Sequence, residues 1–279
     1  MPMSDARDTW EDQECAPQFK DDWREIAPGS SVFFRNLRAR RPLVLKGRRR
    51  GKVGAFYSWK NRAHVFHQCA GEERCARVLE LLPTVHAFVG RPEEIKFKRS
   101  DTGRLQRYTP SFIVEYGDDT VRIQYCRLDT VRPERPTALN DKRGWQRWNA
   151  AEANRATFRQ VATAYSRAGL TWNLITDEDL VAAADPDTVD EIIANGGRPM
   201  TPTQRTRLVE YLRQSPHGVP LQACEDLIGD SDFPRGTILA QIPNRLISID
   251  LKLPIGPSTL VRPTDKALGR SRIGESHAP

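Results

Sequence analysis

Apolar positions alternate between helical and strand spacing along the middle of the chain. In "GEERCARVLELLP", residues 71–83, Cys75, Val78, Leu79 and Leu82 fall on one side at helical spacing, and Pro83 ends the run. "TVHAFVG" reads as a strand, and in "EEIKFKR" Ile95 and Phe97 alternate with Lys96 and Lys98. "RYTPSFIVEYGDDTVRIQYC", residues 107–126, gives two further strands around a turn at Gly117-Asp118-Asp119. "EANRATFRQVATAYSRAG" predicts a helix from about residue 152 to 168 with Gly169 as its stop, and "TWNLIT" is another strand. Helix, four strands, helix, strand predicts an α/β (α+β) domain, a mixed sheet flanked by helices.

A second unit is expected from Asp177. "TDEDLVAAA" is a short helix with a Thr or Asp N-cap, and "NGGRPM" is a turn. "TPTQRTRLVEYLRQSP" places Leu208, Tyr211 and Leu212 on one stripe of an amphipathic helix. "PLQACEDLIG" is a second helix and "DFPRGTILAQIP" a third, with Asp232 as N-cap and Pro234 near N1. "NRLISIDLKL" alternates as a half-buried strand does, and "STLVRP" is its partner. Three helices and a two-stranded ribbon make a winged-helix-like module. The expected boundaries are a flexible arm over 1–30, a first domain over 31–176, the winged-helix-like domain over 177–263 and a disordered tail over 264–279.

Composition narrows the partners. No run of eighteen apolar residues occurs, so no membrane contact is expected, and the polar start "MPMSDARDTWEDQE" points to the cytoplasm. The five cysteines are odd in number and lack CxxC spacing, which argues against a zinc site or a disulfide framework. His64 and His67 lie close together without a third ligand nearby. Net charge is +7, and 34 of the 43 basic residues are arginine, the side chain that pairs bidentately with phosphate. No acidic residue occurs between Glu25 and Glu72. That gap holds nine basic residues in twenty: Arg35, Arg38, Arg40, Arg41, Lys46, Arg48, Arg49, Arg50 and Lys52. Codon preference alone would enrich arginine, but single-sign clustering on this scale fits a polyanion such as DNA.

Residues 58–128 carry a more specific signal. "SWK" at Ser58-Trp59-Lys60, the helix ending "LELLPTV", "GRP" at Gly90-Arg91-Pro92 and "RYTPSFIVEY" resemble the N-terminal domain of TnsA-type transposon endonucleases, a branch of the restriction-endonuclease-like fold. "AYSRAGLTWNLITDEDL" and "LISIDLKLPIGPSTLVRP" resemble the same family's passage into a winged-helix region and its closing wing. Such nucleases hold Mg²⁺ on oxygen ligands from a helix carboxylate, a strand Asp and a Glu or Gln two residues before a Lys. Carried over, these positions are Glu72 (Glu73 adjacent), Ser111, Gln124 and Cys126. Serine is a weak neutral ligand for Mg²⁺ and cysteine a soft one, so the carried-over site is degenerate and no cofactor is expected. An active enzyme would need migrated groups. Glu115 shares a strand face with Ser111 and Ile113 and is expected roughly 7 Å from the pocket, while Arg122, Lys96 or Lys98 would replace the lysine charge. Mg²⁺ would then rest on Glu72, Glu115 and Gln124.

The resemblance implies a DNA-binding subunit of a heteromeric transposition system with defective strand cleavage. Its partners would be transposon-end DNA, a DDE transposase and an AAA+ ATPase regulator. Besides the basic stretch, Ser58, Lys60 and Arg107 are expected against phosphates. The alternatives are an active endonuclease that cuts 5′ ends at the element and a winged-helix transcription regulator. Trp145, Trp148 and Trp172 are expected as core or interface anchors.

Overall fold

The computed structural model describes residues 23–25, 32–36, 53–117, 119–229 and 231–269. In chain order the elements are β1 (Arg24–Glu25), β2 (Val32–Asn36), β3 (Gly54–Ser58), β4 (Ala63–His67), α1 (Ala70–Leu81), β5 (Ala87–Gly90), β6 (Glu93–Lys98), β7 (Leu105–Tyr108), β8 (Phe112–Tyr116), β9 (Asp119–Cys126), α2 (Lys142–Arg167) and β10 (Thr171–Thr176). The second half holds α3 (Asp177–Ala183), α4 (Pro186–Asn195), α5 (Pro202–Gln214), β11 (Val219–Pro220), α6 (Leu221–Leu227), α7 (Pro234–Leu239), β12 (Ile247–Ser248), β13 (Leu260–Pro263) and α8 (Asp265–Leu268).

The central sheet runs β10-β9-β8-β5, with β10 parallel to β9 and the other pairs antiparallel. The mixed sheet flanked by helices is therefore present. The parallel pairing follows from the long return through α2, because a strand that comes back over a helix arrives pointing the same way. A second sheet, β1-β2-β6-β7, takes the strand "EEIKFK" away from the central one. It also contains three strands that periodicity did not pick out, Arg24–Glu25 inside the expected arm, Val32–Asn36 and Leu105–Tyr108.

Apolar spacing in α1 does what it predicts. Cys75, Val78 and Leu79 are buried with Phe88, Phe112, Val114, Ile123 and Tyr125 of the central sheet. A smaller cluster joins Val161, Ala164 and Tyr165 of α2 to Val32, Ile95 and Phe97 of the second sheet. α2 begins at residue 142, ten residues before expected. Its first turns are polar and show no stripe, but Asp141 caps them by accepting from the Gly144 N–H at 2.8 Å. Gly144 is needed there, since a Cβ would stand 2.1 Å from the Asp141 carboxylate.

The second half departs from expectation in four places. An unpredicted helix, α4, starts at Asp185-Pro186, with the Asp185 carboxylate accepting from Thr188 N–H. α7 is capped at Phe233 without a side-chain bond, not at Asp232. The strand expected over "NRLISIDLKL" shrinks to Ile247–Ser248, because Arg245 adopts φ +59° before it and the Leu251 carbonyl turns away to accept the Asp185 N–H. Past Pro263 the chain is helical over Asp265–Leu268, capped by Thr264, where a disordered tail was expected. Helix α5, strand β11, helices α6 and α7 and strands β12 and β13 follow in sequence, with β11-β13-β12 forming one small sheet.

The expected division at residue 177 does not separate two cores. Leu180, Val189 and Ile192 belong to the same buried cluster as α1, and Arg77 of α1 pairs with Asp190 of α4 at 2.8 Å. Trp59, in the turn after β3, lies on Gly196 and Gly197 so closely that a Cβ on Gly196 would fall 2.3 Å from its ring. Gly196→Ala is therefore expected to lower unfolding free energy by about 1–3 kcal/mol, read as a shifted urea midpoint. Gly256→Ala, where an added Cβ meets open space, serves as the control.

Candidate functional site

The N-terminus of α1 meets the central sheet at a cluster of polar side chains. Cys69 caps the helix, its sulfur accepting from the Glu72 N–H at 3.4 Å. Gly71 allows the Tyr125 ring of β9 to lie against the helix, at 2.1 Å from where a Cβ would stand. Glu72 is thereby carried under the sheet and is only 4% exposed. Its Oε2 accepts from Gln68 N–H at 2.6 Å. Its Oε1 accepts from the Ser111 hydroxyl at 2.8 Å and from Arg91 Nη2 at 3.2 Å. Ser111 Oγ in turn accepts from Tyr125 N–H at 3.3 Å. Arg91 is anchored at the same place by its own N–H, which donates to the Ser111 carbonyl at 3.0 Å, and its φ of +49° turns the side chain back toward Glu72.

Gln124 and Cys126 flank Tyr125 on β9. The Gln124 side-chain oxygen accepts from the Tyr108 hydroxyl at 2.7 Å, and its amide donates to the Tyr125 carbonyl at 2.7 Å. Tyr108 is held by Trp172, whose indole N–H donates to the same hydroxyl at 3.1 Å. Burial raises the Tyr108 pKa, against the pull of Trp172 and Arg91. Cys126 sits 2.7 Å from Thr130 Oγ1, and burial raises its thiol pKa, so it stays neutral.

Glu72 and Ser111 thus come together, whereas Gln124 bonds to Tyr108 and the Tyr125 carbonyl and Cys126 meets Thr130. Glu72 carries the negative charge, and Arg91 supplies the positive charge from within the chain. Ser111 spends its proton on Glu72, and Gln124 receives one from Tyr108. Among the described residues no three His, Cys, Asp or Glu side chains converge as a metal-binding group. Mg²⁺ favours anionic oxygen and near-octahedral geometry, so these residues do not fit it.

The groups considered as migrated ligands lie elsewhere. Glu115 pairs with Ala87 and Thr120, four residues beyond Ser111, which is about 13 Å by strand rise and not about 7 Å. It has no part in the Glu72 hydrogen bonds. Lys96 and Lys98 are on the second sheet, with the Lys96 ammonium 4.2 Å from the Trp23 ring centre and Lys98 exposed. Arg122 is half-buried against Glu93 at 3.3 Å.

Two residues expected against DNA are structural. Ser58 is fully buried and donates to Glu80 Oε2 at 2.6 Å. Lys60 donates from Nζ to the carbonyls of Leu79 and Leu82, at 2.8 and 2.9 Å, and from its backbone to Glu80 Oε1 at 2.8 Å. It satisfies carbonyls that the last turn of α1 leaves open. Burial lowers the Lys60 pKa to about 7, Glu80 opposing and Arg245 adding to the effect. Arg107 is exposed on β7 with its guanidinium 5.6 Å from the Trp23 ring centre. Arg35 lies in β2, and nothing of its side chain is described. Arg38, Arg40, Arg41, Lys46, Arg48, Arg49, Arg50 and Lys52 lie outside the described residues.

Sequence reasoning missed Arg91, Tyr108 and Glu80 as members of these clusters. Arg91 was visible only as the middle of "GRP". Of the tryptophans, Trp172 packs with Phe158 and Tyr108, as expected of a core anchor. No protein-family model and no curated protein matches the sequence. Lys60→Met should lower unfolding free energy by about 2 kcal/mol, since two carbonyl acceptors lose their donor and Glu80 loses a nearby positive charge while keeping the residue 60 backbone N–H. Urea denaturation checks this, and an unchanged midpoint would free Lys60 for a role at the surface.

Proposed function

We propose that this chain is a DNA-binding protein built on a nuclease-like core without metal-dependent cleavage, a TnsA-like subunit whose contribution to transposition is to hold DNA. The observation that carries this reading is the Arg91–Glu72–Ser111 cluster: the carboxylate that would bind Mg²⁺ is neutralised by a guanidinium of its own chain. Breaking such a pair leaves a buried charge uncompensated, at a cost of about 3 kcal/mol or more. A metal would have to displace Arg91 and then work with one carboxylate.

The order α1-β5-β8-β9-α2-β10, with the last strand parallel to β9, supports a restriction-endonuclease-like core, as does the contact of Glu72 with Ser111 at one end of it. The order α5-β11-α6-α7-β12-β13 supports a winged-helix-like unit. The positive net charge of +7 supports a polyanionic partner. On the same reading a DDE transposase and an AAA+ ATPase would be the protein partners, and the chain would position transposon ends for them.

A supercoiled plasmid incubated with the protein and 5 to 10 mM (about the usual assay range) Mg²⁺ or Mn²⁺ tests the chemistry, because any metal cleavage requires an anionic oxygen cage. No nicking above buffer is expected, while a duplex of the same sequence is retarded in a gel. Metal-dependent nicking abolished by Glu72→Gln or Glu115→Ala would replace this reading with an active endonuclease. An absence of duplex binding at low salt would remove the DNA-binding reading as well.

A further inference from the structure

Lys266 on helix α8 stands beside Arg245 in the turn before β12, and the charges of Arg205, at the start of α5, and Arg62, in the β3–β4 turn, reach Lys266. Arg62, Arg205 and Lys266 are exposed, and Arg245 is half-buried. Lys266 Nζ donates to the Asn244 carbonyl at 3.0 Å, which sets it beside Arg245. The Thr264 hydroxyl, at the start of α8, holds the Arg245 carbonyl. Arg213 Nη2 donates to the Ala267 carbonyl at 3.3 Å and ties α5 to α8. Arg245 Nε is buried without a hydrogen-bond partner among the described residues, as are Arg77 Nε and Arg91 Nε.

The charges act on one another. Burial, then Arg245, Arg205 and Arg62, lower the Lys266 pKa. Burial lowers that of Arg245, with Asp265 opposing it. The Arg245 charge also reaches Lys60, which the end of α1 and Glu80 hold in place. Asp265 acts on Arg245 from within α8, while Glu80 acts on Lys60 and is already bound by Ser58 and the Lys60 backbone. The first turn of α5, from which Arg205 projects, holds no acidic residue. Arg62 and Arg245 both sit at positive φ, +54° and +59°, a conformation unfavourable for residues other than glycine. Cations gathered against mutual repulsion, on a backbone held in that way, fit a site whose anion comes from outside.

We infer that Arg62, Arg205, Arg245 and Lys266 form a seat for the phosphate backbone of duplex DNA, at the junction between the β3–β4 turn and the second half of the chain. This rests on the DNA-binding reading and gives it a place. The seat is separate from the Glu72 pocket: Lys60 and Glu80 next to it lie at the far end of α1, about 12 Å along the helix from Glu72. It reads charge and spacing of phosphates, so its contribution is independent of base sequence.

The test is fluorescence anisotropy of the full chain on a labelled duplex across a salt series, for wild type, R62Q/R205Q/K266Q and the control R143Q/R147Q/R159Q, which removes the same formal charge from exposed positions on α2. Each phosphate contact contributes about 0.9 to the slope of log affinity against log salt, so the first triple variant should lose about 2.7 of slope and about tenfold of affinity per contact near 0.1 M salt. The control should keep the wild-type slope. Melting temperature and circular dichroism confirm that the variants are folded. Should the triple variant not fold, R205Q alone, on the exposed face of α5, should lose about 0.9 of slope. An unchanged slope in the folded variant, or an equal loss in the control, overturns the seat while wild-type binding keeps the broader reading. Absence of salt-dependent duplex binding by wild type overturns both. Tighter binding of single-stranded RNA through the same three residues would overturn DNA as the ligand.

Discussion

A carboxylate taken out of water must meet a positive charge or several donors, or else give up its own charge. Glu72 meets all its partners at once: a guanidinium, a hydroxyl and a backbone N–H. Much of the arrangement at this end of the molecule follows from that requirement. Arg91 has to enter at positive φ to reach Glu72, and its backbone N–H then ties the end of β5 to Ser111. Ser111 has to stand where its hydroxyl serves Glu72 and its lone pair serves Tyr125, which holds β8 and β9 in register beside the helix. The cation that Glu72 meets, Arg91, belongs to the chain itself and helps to hold α1 against the sheet.

The opposite end of α1 solves a related problem. The last carbonyls of a helix have no partners of their own, and this helix has no basic residue in its final turn. Lys60, from the neighbouring turn, donates to two of those carbonyls, while Glu80 gathers Ser58 and the Lys60 backbone. One twelve-residue helix is thus fastened at both ends by residues that a motif comparison reads as catalytic or phosphate-binding. The carboxylate at one end and the lysine at the other share a structural purpose: each keeps a buried charge or carbonyl satisfied. Because α1 also packs on α3 and α4, the same fastening links the sheet to the second half of the chain.

Much of the element order was legible because it depends on local spacing. The stripe of Cys75, Val78 and Leu79 and the alternation of Ile95 and Phe97 are read without reference to anything distant. The early start of α2 was hidden because "KRGWQRWNAA" offers only Trp145 and Trp148 as large apolar residues among charged ones, so its start is marked by the Asp141 cap while its later turns pack on the second sheet. Which sheet a strand joins was equally hidden, since Lys96 and Lys98 are close in sequence to β5 yet pair with β2 and β7. For the site, the motif singled out Glu72, Ser111, Gln124 and Cys126 but not the partners of Glu72 and Gln124, since Arg91 and Tyr108 lie 19 and 16 residues from them in sequence.

Among the described residues, those other than glycine at positive φ are Arg62, Arg91 and Arg245. An ordinary turn would place Asn, Asp or Gly in that conformation, since a long side chain gains nothing from it locally. Arginine there directs a charge to a position that a relaxed backbone would not reach. For Arg91 the destination is Glu72, so the strain is balanced inside the fold. Arg62 and Arg245 both act on Lys266, with Asp265 as the opposing charge on Arg245. The same backbone device therefore has two electrostatic outcomes: a closed ion pair at Arg91, and at Arg62 and Arg245 positive charge brought to bear on Lys266.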